Sequence, residues 1–459
     1  MATVEAPPGT ALPPGSNLPS LVQTILFLAF RRQVHARWRR RYGELFTTRV
    51  AGDRTIVTLS RPEHIRQVFA GAPTIFHAGE GNGLLAPVMG EHSLLTTDEG
   101  EHLRARKLLM PAFNGAALRG YRELMTRLAV ANVERWPVGT PFAVHPRMNA
   151  VTLEIILRVV FGMSEGPRLA ELRPRLRRIS DIGPLTVLGW SYAKLRGFGI
   201  WKRNWENLHA ADRLLYAEIA DRRTAGDLSE RGDVLSRLLT AAGGELSDVE
   251  LRDQMITLLL AGHETTATAL AWSFHELSRR PDLLRRAQQA ADDGDDNYLE
   301  AVAKEAMRRR PVIQNVARRL TEPVEIAGYR LPEGTVVAPS ISLVHRDANA
   351  HVAPKDFRPD RFLGRTPESG TWIPFGGGVR RCIGAGFSLQ EATAVLKEAL
   401  TRYDIRAAST TEEFPKPRNI TLVPSRGARI IATPRKATPG KDTPGKDTPS
   451  KDNPRGSLH

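Results

Sequence analysis

The chain has 459 residues, 41% of them hydrophobic and 25% charged, with a single cysteine, Cys382. Length and balance suit a large folded core, and length alone allows two or three domains; one thiol excludes any intrachain disulfide and any multi-cysteine zinc or iron-sulfur centre. A formal charge of +15 invites a nucleic-acid reading, but the surplus is spread through helical segments, so no nucleic acid is expected and a basic docking surface for an acidic protein is better founded.

Residues 1–17 form a Pro- and Gly-rich arm without the basic start of a secretory signal. The apolar run that follows, at 18–30, is interrupted by Pro19, Ser20, Gln23 and Thr24 and meets Arg31 and Arg32 well short of the roughly 20 residues a membrane span needs. It reads as an amphipathic helix continuing to Arg41 and stopped at Tyr42-Gly43, in a soluble protein without a transmembrane anchor. Two β-rich runs within 45–59 flank Gly52-Asp53, a hairpin turn signal, and Pro62 opens a helix to Phe69. The stretch 76–95 interleaves five glycine or proline breaks with Leu84, Leu85, Val88 and Met89, which makes it a linker or a pocket wall. His102 and Arg106 then lie four apart on one helical face, able to reach one anionic group together.

From 116 to 239 the chain reads as successive helices broken at glycines and prolines. Trp190, Tyr192, Phe198, Trp201 and Trp205 in 184–205 signal packing or a substrate-entrance lid. A capping box, Ser247-Asp248-Val249-Glu250, starts a helix that runs to Arg279, about 33 residues, long enough to cross the core. Its middle is Ala261-Gly262-His263-Glu264-Thr265-Thr266. Small Ala261 and Gly262 thin the helix where something bulky approaches, and a carboxylate with two hydroxyls in an apolar helix marks a functional site. A threonine bonding the carbonyl one turn back explains the hydroxyls equally. Glu305 and Arg308 can pair on a helix ended by Pro311. A strand-rich meander follows at 324–338 with a turn at Pro332-Glu333-Gly334, then a helix at 388–402 and a strand pair at 418–432 turning at Pro424-Ser425. The polar repeats Thr-Pro-Gly-Lys-Asp at 438–442 and 443–447 and Thr-Pro-Ser-Lys-Asp at 448–452 belong to an expected disordered tail, 433–459.

Cys382 lies in Phe375-Gly376-Gly377-Gly378-Val379-Arg380-Arg381-Cys382-Ile383-Gly384. A structural thiol usually sits in an apolar helix or strand, whereas this one is in a glycine loop. Glycines let backbone approach a large flat ligand and free N–H groups to face sulfur, and Arg380 and Arg381 favour thiolate. Such a cysteine is a metal ligand or a nucleophile, and no histidine stands near it in sequence as a base. The spacing Phe-x-x-Gly-x-Arg-x-Cys-x-Gly, filled by Phe375, Gly378, Arg380, Cys382 and Gly384, resembles the haem-binding loop of the cytochrome P-450 superfamily without a departure.

That resemblance implies a mainly α fold with a smaller β-lobe, one large domain over 18–432, and a long central helix over haem b. It makes Cys382 the axial ligand of haem iron, with Phe375 and Gly384 in the same loop and His102, Arg106, Arg318 and Arg380 on the haem propionates. The segment 261–266 resembles the family's oxygen-activation motif, so Glu264 and Thr265 would deliver protons to dioxygen and let the O–O bond cleave with loss of water. Glu305, Arg308 and Arg361 match a motif whose buried network braces the cysteine loop. The loop at 76–95 would lie over the distal face, and Leu84, Leu85, Val88, Ala261, Val312, Ile313, Leu422 and Val423 would line the substrate pocket. The implied enzyme is a monooxygenase acting on a lipophilic fatty acid, terpenoid or steroid-like molecule. Its electrons would come from NAD(P)H through a separate reductase and an acidic ferredoxin or flavodoxin, because no flavin or iron-sulfur domain is fused. Lack of the microsomal anchor implies a bacterial, cytoplasmic, monomeric protein. A peroxide-driven haem-thiolate enzyme and a non-catalytic haem sensor are the alternatives. One departure, Asp347-Ala348 where the family usually has Asp-Pro, affects a turn.

Overall fold

Ser247 sets the start of the longest helix, Asp248–Leu277. Its hydroxyl accepts the Glu250 N–H at 3.2 Å and its own N–H donates to the Glu250 carboxylate at 2.9 Å, so two donors that the first turn leaves orphaned are satisfied. The 30 residues make a rod about 45 Å long by the α-helical rise. Leu251, Met255, Leu259, Leu270 and Phe274 bury it in the main core, among residues of Gly115–Val133, Val144–Phe161 and Ala385–Arg402. The helix ends at Leu277, two residues before the expected Arg279, and Pro281 opens the next helix, Pro281–Asp293, where a missing N–H costs nothing.

The computed structural model describes residues 12–50, 54–162, 165–181, 193–241, 243 and 245–435. The architecture is mainly α with a smaller β-lobe, as expected. In that lobe a five-stranded sheet runs in the order β1 (Leu45–Val50), β2 (Arg54–Leu59), β8 (Val336–Pro339), β5 (Arg318–Leu320), β3 (Phe76–His77). Only the β2–β8 pair is parallel; β1 and β2 pair antiparallel from Leu45 with Leu59 to Val50 with Arg54. Leu45, Val57, Leu59, Val337 and Ile341 form a second core beneath it. The meander resolves into a hairpin, β6 (Val324–Ile326) with β7 (Tyr329–Leu331), followed by the expected turn, with Gly334 at φ 79°, into β8.

Three expectations change. The strand pair at 418–432 is replaced by a tight hairpin of β10 (Pro415–Arg418) and β11 (Thr421–Pro424), while β12 (Arg429–Pro434) pairs with β9 (Tyr403–Ala407) and β4 (Phe142–Ala143). Pro424-Ser425 is therefore a crossing between two sheets, and the hairpin turn lies at Asn419, φ 51°, a residue type that tolerates that conformation. The first helix is two, Ser20–Ala29 and Arg31–Tyr42, broken at Phe30. The irregular stretch 76–95 holds short helical turns, Ala78–Gly81, Gly83–Leu85 and Ala86–Met89. Gly52-Asp53, Trp190, Tyr192 and the repeats at 438–452 lie outside the described residues.

Gly262 owes its size to a neighbouring helix. A Cβ there would stand 3.1 Å from Ile156 Cγ1 and 3.2 Å from its Cδ1, so the notch in the central helix admits Ile156 of Val144–Phe161. Gly262→Val should therefore lower stability by about 1–3 kcal/mol through overpacking. Adding Ile156→Ala should recover part of that loss, a coupling that denaturant titration of the four proteins of the cycle will measure.

Candidate active site

The cysteine loop is hung from backbone hydrogen bonds. The Ile373 N–H donates to His345 Nε2 at 2.9 Å, the Gly376 N–H to the Ile373 carbonyl at 3.0 Å, and the Cys382 N–H to the Phe375 carbonyl at 3.0 Å. Gly376 and Gly378 hold φ of 67° and 63°, which side chains rarely adopt. A Cβ on Gly377 would stand 2.2 Å from the Phe69 ring, and one on Gly378 would stand 2.1 Å from the Phe69 carbonyl oxygen. The glycines thus admit the end of helix Pro62–Ala70 against this loop. Cys382 is exposed by surface area, yet protein atoms crowd its sulfur. That crowding pushes the thiol up, while the Gly384 N–H, Arg106 and Arg381 oppose it. The accessible face decides what can reach the sulfur, and a metal cation there would replace the proton outright.

Beside this loop lies a partly buried cleft. It is lined by Phe69, Phe76, His102, Arg318, Gly377 and Arg380, with two carboxylates, Asp98 and Glu99, of which Asp98 acts on both arginines. Arg380 donates to the Thr97 carbonyl at 2.7 Å and stands 3.8 Å from Asp98; Arg318 donates to the Ala317 carbonyl at 2.8 Å. Burial first, then repulsion between these two arginines, pushes Arg318 down to about 10. Burial, with Arg106 adding repulsion, pushes Arg380 to about 10 as well. His102 is held to about 4 by burial, Arg380 and Arg106, so it stays neutral and can donate one ring N–H. Arg106, half-buried on the same helix, makes no hydrogen bond or ion pair among the described residues, and its main charged neighbours are Cys382 and Arg381. Burial lowers both guanidinium groups, and a bound anion would offset that. An exposed thiol beside this arginine-bearing, aromatic-lined cleft fits a haem, whose iron would take the sulfur and whose carboxylates would answer the arginines.

Across the central helix, Thr265 Oγ1 donates to the Ala261 carbonyl at 2.8 Å. Thr266 Oγ1 donates to the Gly262 carbonyl at 3.2 Å and to Ser388 Oγ at 3.0 Å, tying this helix to the one that follows Cys382. The hydroxyls thus make the backbone bonds that a purely structural role requires. Glu264 differs: it is buried, and neither carboxyl oxygen has a hydrogen-bond partner among the described residues. His145 Nε2 is 3.6 Å away and Arg418 Nη1 3.8 Å. Burial raises the carboxyl from 4.5 to about 7, with Arg418 and Asn149 pulling the other way. His145 is held to about 3, mainly by burial, so it is neutral. Arg418 also meets exposed Asp181 at 3.0 Å, linking the buried acid to the surface. His263 points elsewhere, Nδ1 to the Leu259 carbonyl and Nε2 to Ser180 Oγ. His145, Arg418, Asp98 and Ser388 carry no local motif, and only tertiary contact reveals them.

Glu305 and Arg308, the centre of the brace, are fully buried, and Arg361 is partly so. Arg308 makes a bidentate pair with Glu305 at 2.7 and 2.9 Å and donates to the carbonyls of His345, Pro354 and Asp356. Glu305 also accepts from the Arg358 N–H at 2.8 Å and Arg361 Nε at 3.2 Å. His345 is the link the sequence did not reveal, since its carbonyl takes Arg308 and its ring takes the Ile373 N–H of the cysteine loop.

Among the pocket candidates, Leu84 is exposed, Leu85, Ala261 and Ile313 are half-buried, and Val88, Val312, Leu422 and Val423 are buried. The Leu422 N–H donates to the Val312 carbonyl at 2.8 Å, and Val312 and Ile313 pack in one cluster with Phe375. Val88 belongs to the main core.

Two outcomes are expected. Arg308→Met leaves the Glu305 carboxylate buried without its partner and should cost about 3–5 kcal/mol in thermal or denaturant unfolding, with loss of haem retention. Glu264 holds its proton to about 7 when folded against 4.5 when free. Its stabilising contribution is thus complete below pH 4.5 and lost as pH rises through 7. Glu264→Gln should remove that fall, a difference on the order of 3 kcal/mol between the two proteins' unfolding curves across that range.

Residues 13–431 match the family model described as Cytochrome P450. A Mycobacterium tuberculosis protein named cytochrome P450 135A1 is 49% identical over 433 residues, covering 93% of this chain and 96% of its own. A Mycobacterium bovis protein named cytochrome P450 135B1 is 46% identical over 428 residues, 91% of each chain. The solved structure of retinoic acid-bound cyanobacterial CYP120A1 superposes with a TM-score of 0.81 at 22% identity, over 93% of this chain and 100% of that one. A matching family model across nearly the whole chain, close relatives and a thiol site of this construction make the chain a member of the cytochrome P450 family, a haem-thiolate monooxygenase.

Proposed function

We propose that the enzyme domain, 18–432, binds haem b through Cys382 and oxidises a lipophilic small molecule of fatty-acid, terpenoid or steroid type, with electrons from NAD(P)H carried by a separate reductase and an acidic ferredoxin or flavodoxin. The observation that carries this reading is the buried carboxyl of Glu264, one residue from Thr265, with His145 at 3.6 Å and Arg418 at 3.8 Å and no close hydrogen bond. Haem b suits a chain whose one cysteine is the ligand, because no thiol is left for covalent attachment to the porphyrin. Bound haem supplies reduction of dioxygen and transfer of one oxygen atom to the substrate, the other leaving as water.

The chain's own residues hold the group and handle protons. Arg318, Arg380, His102 and Arg106 answer the two carboxylates, and the Glu305–Arg308–Arg361 brace keeps the cysteine loop from shifting. Near neutral pH Glu264 is divided between its acid and carboxylate forms, so it can release a proton and rebind one. Arg418, between Glu264 and exposed Asp181, stays protonated and steadies the carboxylate form until a proton returns to it. Thr265 passes it on from its hydroxyl. Val312, Ile313, Leu422 and Val423, with Leu84, Leu85, Val88 and Ala261, are the residues assigned to the substrate pocket, and their apolar side chains suit an oily substrate. Exposed Arg381 beside Cys382 favours an acidic electron donor.

With surrogate redox partners and a substrate found by its shift of the haem Soret band, Glu264→Gln should slow turnover by about a hundred-fold. Thr265→Ala should divert NAD(P)H consumption into hydrogen peroxide. Cys382→Ala should abolish the red-shifted Soret band of the reduced carbon monoxide complex; retention of that band overturns the reading. Peroxide-supported turnover unaffected by Thr265→Ala would instead favour a peroxide-driven enzyme.

A further inference from the structure

Helix Ser20–Ala29 is built inside out. Its polar Gln23 is buried, the side-chain amide donating to the carbonyls of Ser16 and Leu18 at 3.0 and 2.7 Å while its oxygen accepts the Arg49 N–H at 3.0 Å. Leu21, Val22 and Ile25, on one face of the helix, point outward instead, with Leu21 64% and Ile25 54% exposed; Leu18 just before the helix and Phe30 at the break are exposed too. An amphipathic helix resting on a protein does the reverse. Scattered exposed apolar residues need no explanation, but a continuous stripe bought at the expense of burying a glutamine does.

The next helix supplies the complementary charge. Arg31–Tyr42 turns Val34, Trp38 and Tyr42 into the same small cluster that takes Leu26, together with Phe46 and Leu343. Arg37, Arg40 and Arg41 are exposed, and none is in an ion pair among the described residues. Residues 18–43 contain six arginines and no acidic residue. An acidic protein would answer the arginines but not the stripe, and a second copy would bring its own arginines against these. An anionic bilayer answers both, with acyl chains for the leucines and headgroup phosphates for the guanidinium groups.

We infer that the helix pair Ser20–Ala29 and Arg31–Tyr42 is a peripheral docking element that lays the protein on an anionic lipid surface. No helix among the described residues is long and apolar enough to cross a membrane, so the attachment is interfacial and reversible. The inference concerns adsorption, and its test reads binding and not turnover.

The full-length, haem-loaded protein is sedimented with vesicles of phosphatidylcholine alone or mixed with phosphatidylglycerol, at low and high salt. It should pellet with the mixed vesicles, far less with phosphatidylcholine, and less as salt rises. Leu21→Asp with Ile25→Asp should cut partitioning by about ten-fold or more, as should Arg37→Gln with Arg40→Gln, the latter also removing most of the salt dependence. Both variants change exposed positions, so the haem spectrum and unfolding midpoint should not move. Val352→Asp, at an equally exposed apolar residue elsewhere, should bind as the parent does. Failure to pellet with the mixed vesicles, or undiminished binding of Leu21→Asp with Ile25→Asp, overturns the inference. So does conversion of a dimer to a monomer by that variant, which would assign the stripe to a second copy.

Discussion

A guanidinium with no solvent exposure, Arg308, holds the site together. Taking it and Glu305 out of water carries a desolvation cost that their mutual attraction repays only with good geometry and further hydrogen bonds. The geometry is bidentate, and Arg308 finds three carbonyls besides, from residues 345, 354 and 356. Those carbonyls belong to the segment leading to Cys382. Because an unsatisfied buried charge is costly, the pair specifies the path of the chain around it as well as its own contact. His345 carries the constraint onward, taking the Ile373 N–H on its ring, and Phe69 closes the loop from the other side against Gly377 and Gly378. The thiol is thus fixed by backbone hydrogen bonds and steric closure, and only weakly by its own environment.

The central helix works by a different economy of charge. Its middle places one carboxyl in a core position with no hydrogen bond, and the fold tolerates it because the group can keep its proton. The same burial that would make an ionised Glu264 costly brings its proton affinity near neutrality, where transfer in either direction is easiest. A well-paired acid at this position would be more stable and less able to move a proton. Arg418 stands near enough, at 3.8 Å, to moderate the cost without forming a close pair.

Local chemistry was legible in the sequence, and long-range partnership was not. The capping box at Ser247, the turn at Gly334 and the pairing of Glu305 with Arg308 are written in residues a few positions apart, and each occurs as read. The ten-residue cysteine loop was legible as a ligand site because its residue types conflict with an inert thiol. The protein neighbours of its glycines were not legible: nothing near 377 names Phe69, three hundred residues earlier, just as nothing near 262 names Ile156. The strand pair failed for a related reason. Alternation along 418–432 specifies strands but not partners, and β12 found β9 and β4 in place of β11. His145, Asp98 and Arg418 escaped notice because a lone charged residue acquires meaning only from what folds beside it.

The first helix carries that lesson to the surface. By sequence, the run at 18–30 reads as an amphipathic helix, and the apolar face of such a helix on a globular protein is expected to turn inward. What reverses it is Gln23, whose amide can satisfy three backbone groups at once where the arm at 16–18 meets β1. Those hydrogen bonds fix the rotation of the helix, and with it the side on which Leu21 and Ile25 emerge. One buried amide thereby decides which medium the neighbouring leucine and isoleucine face, beside arginines that carry positive charge to the same surface.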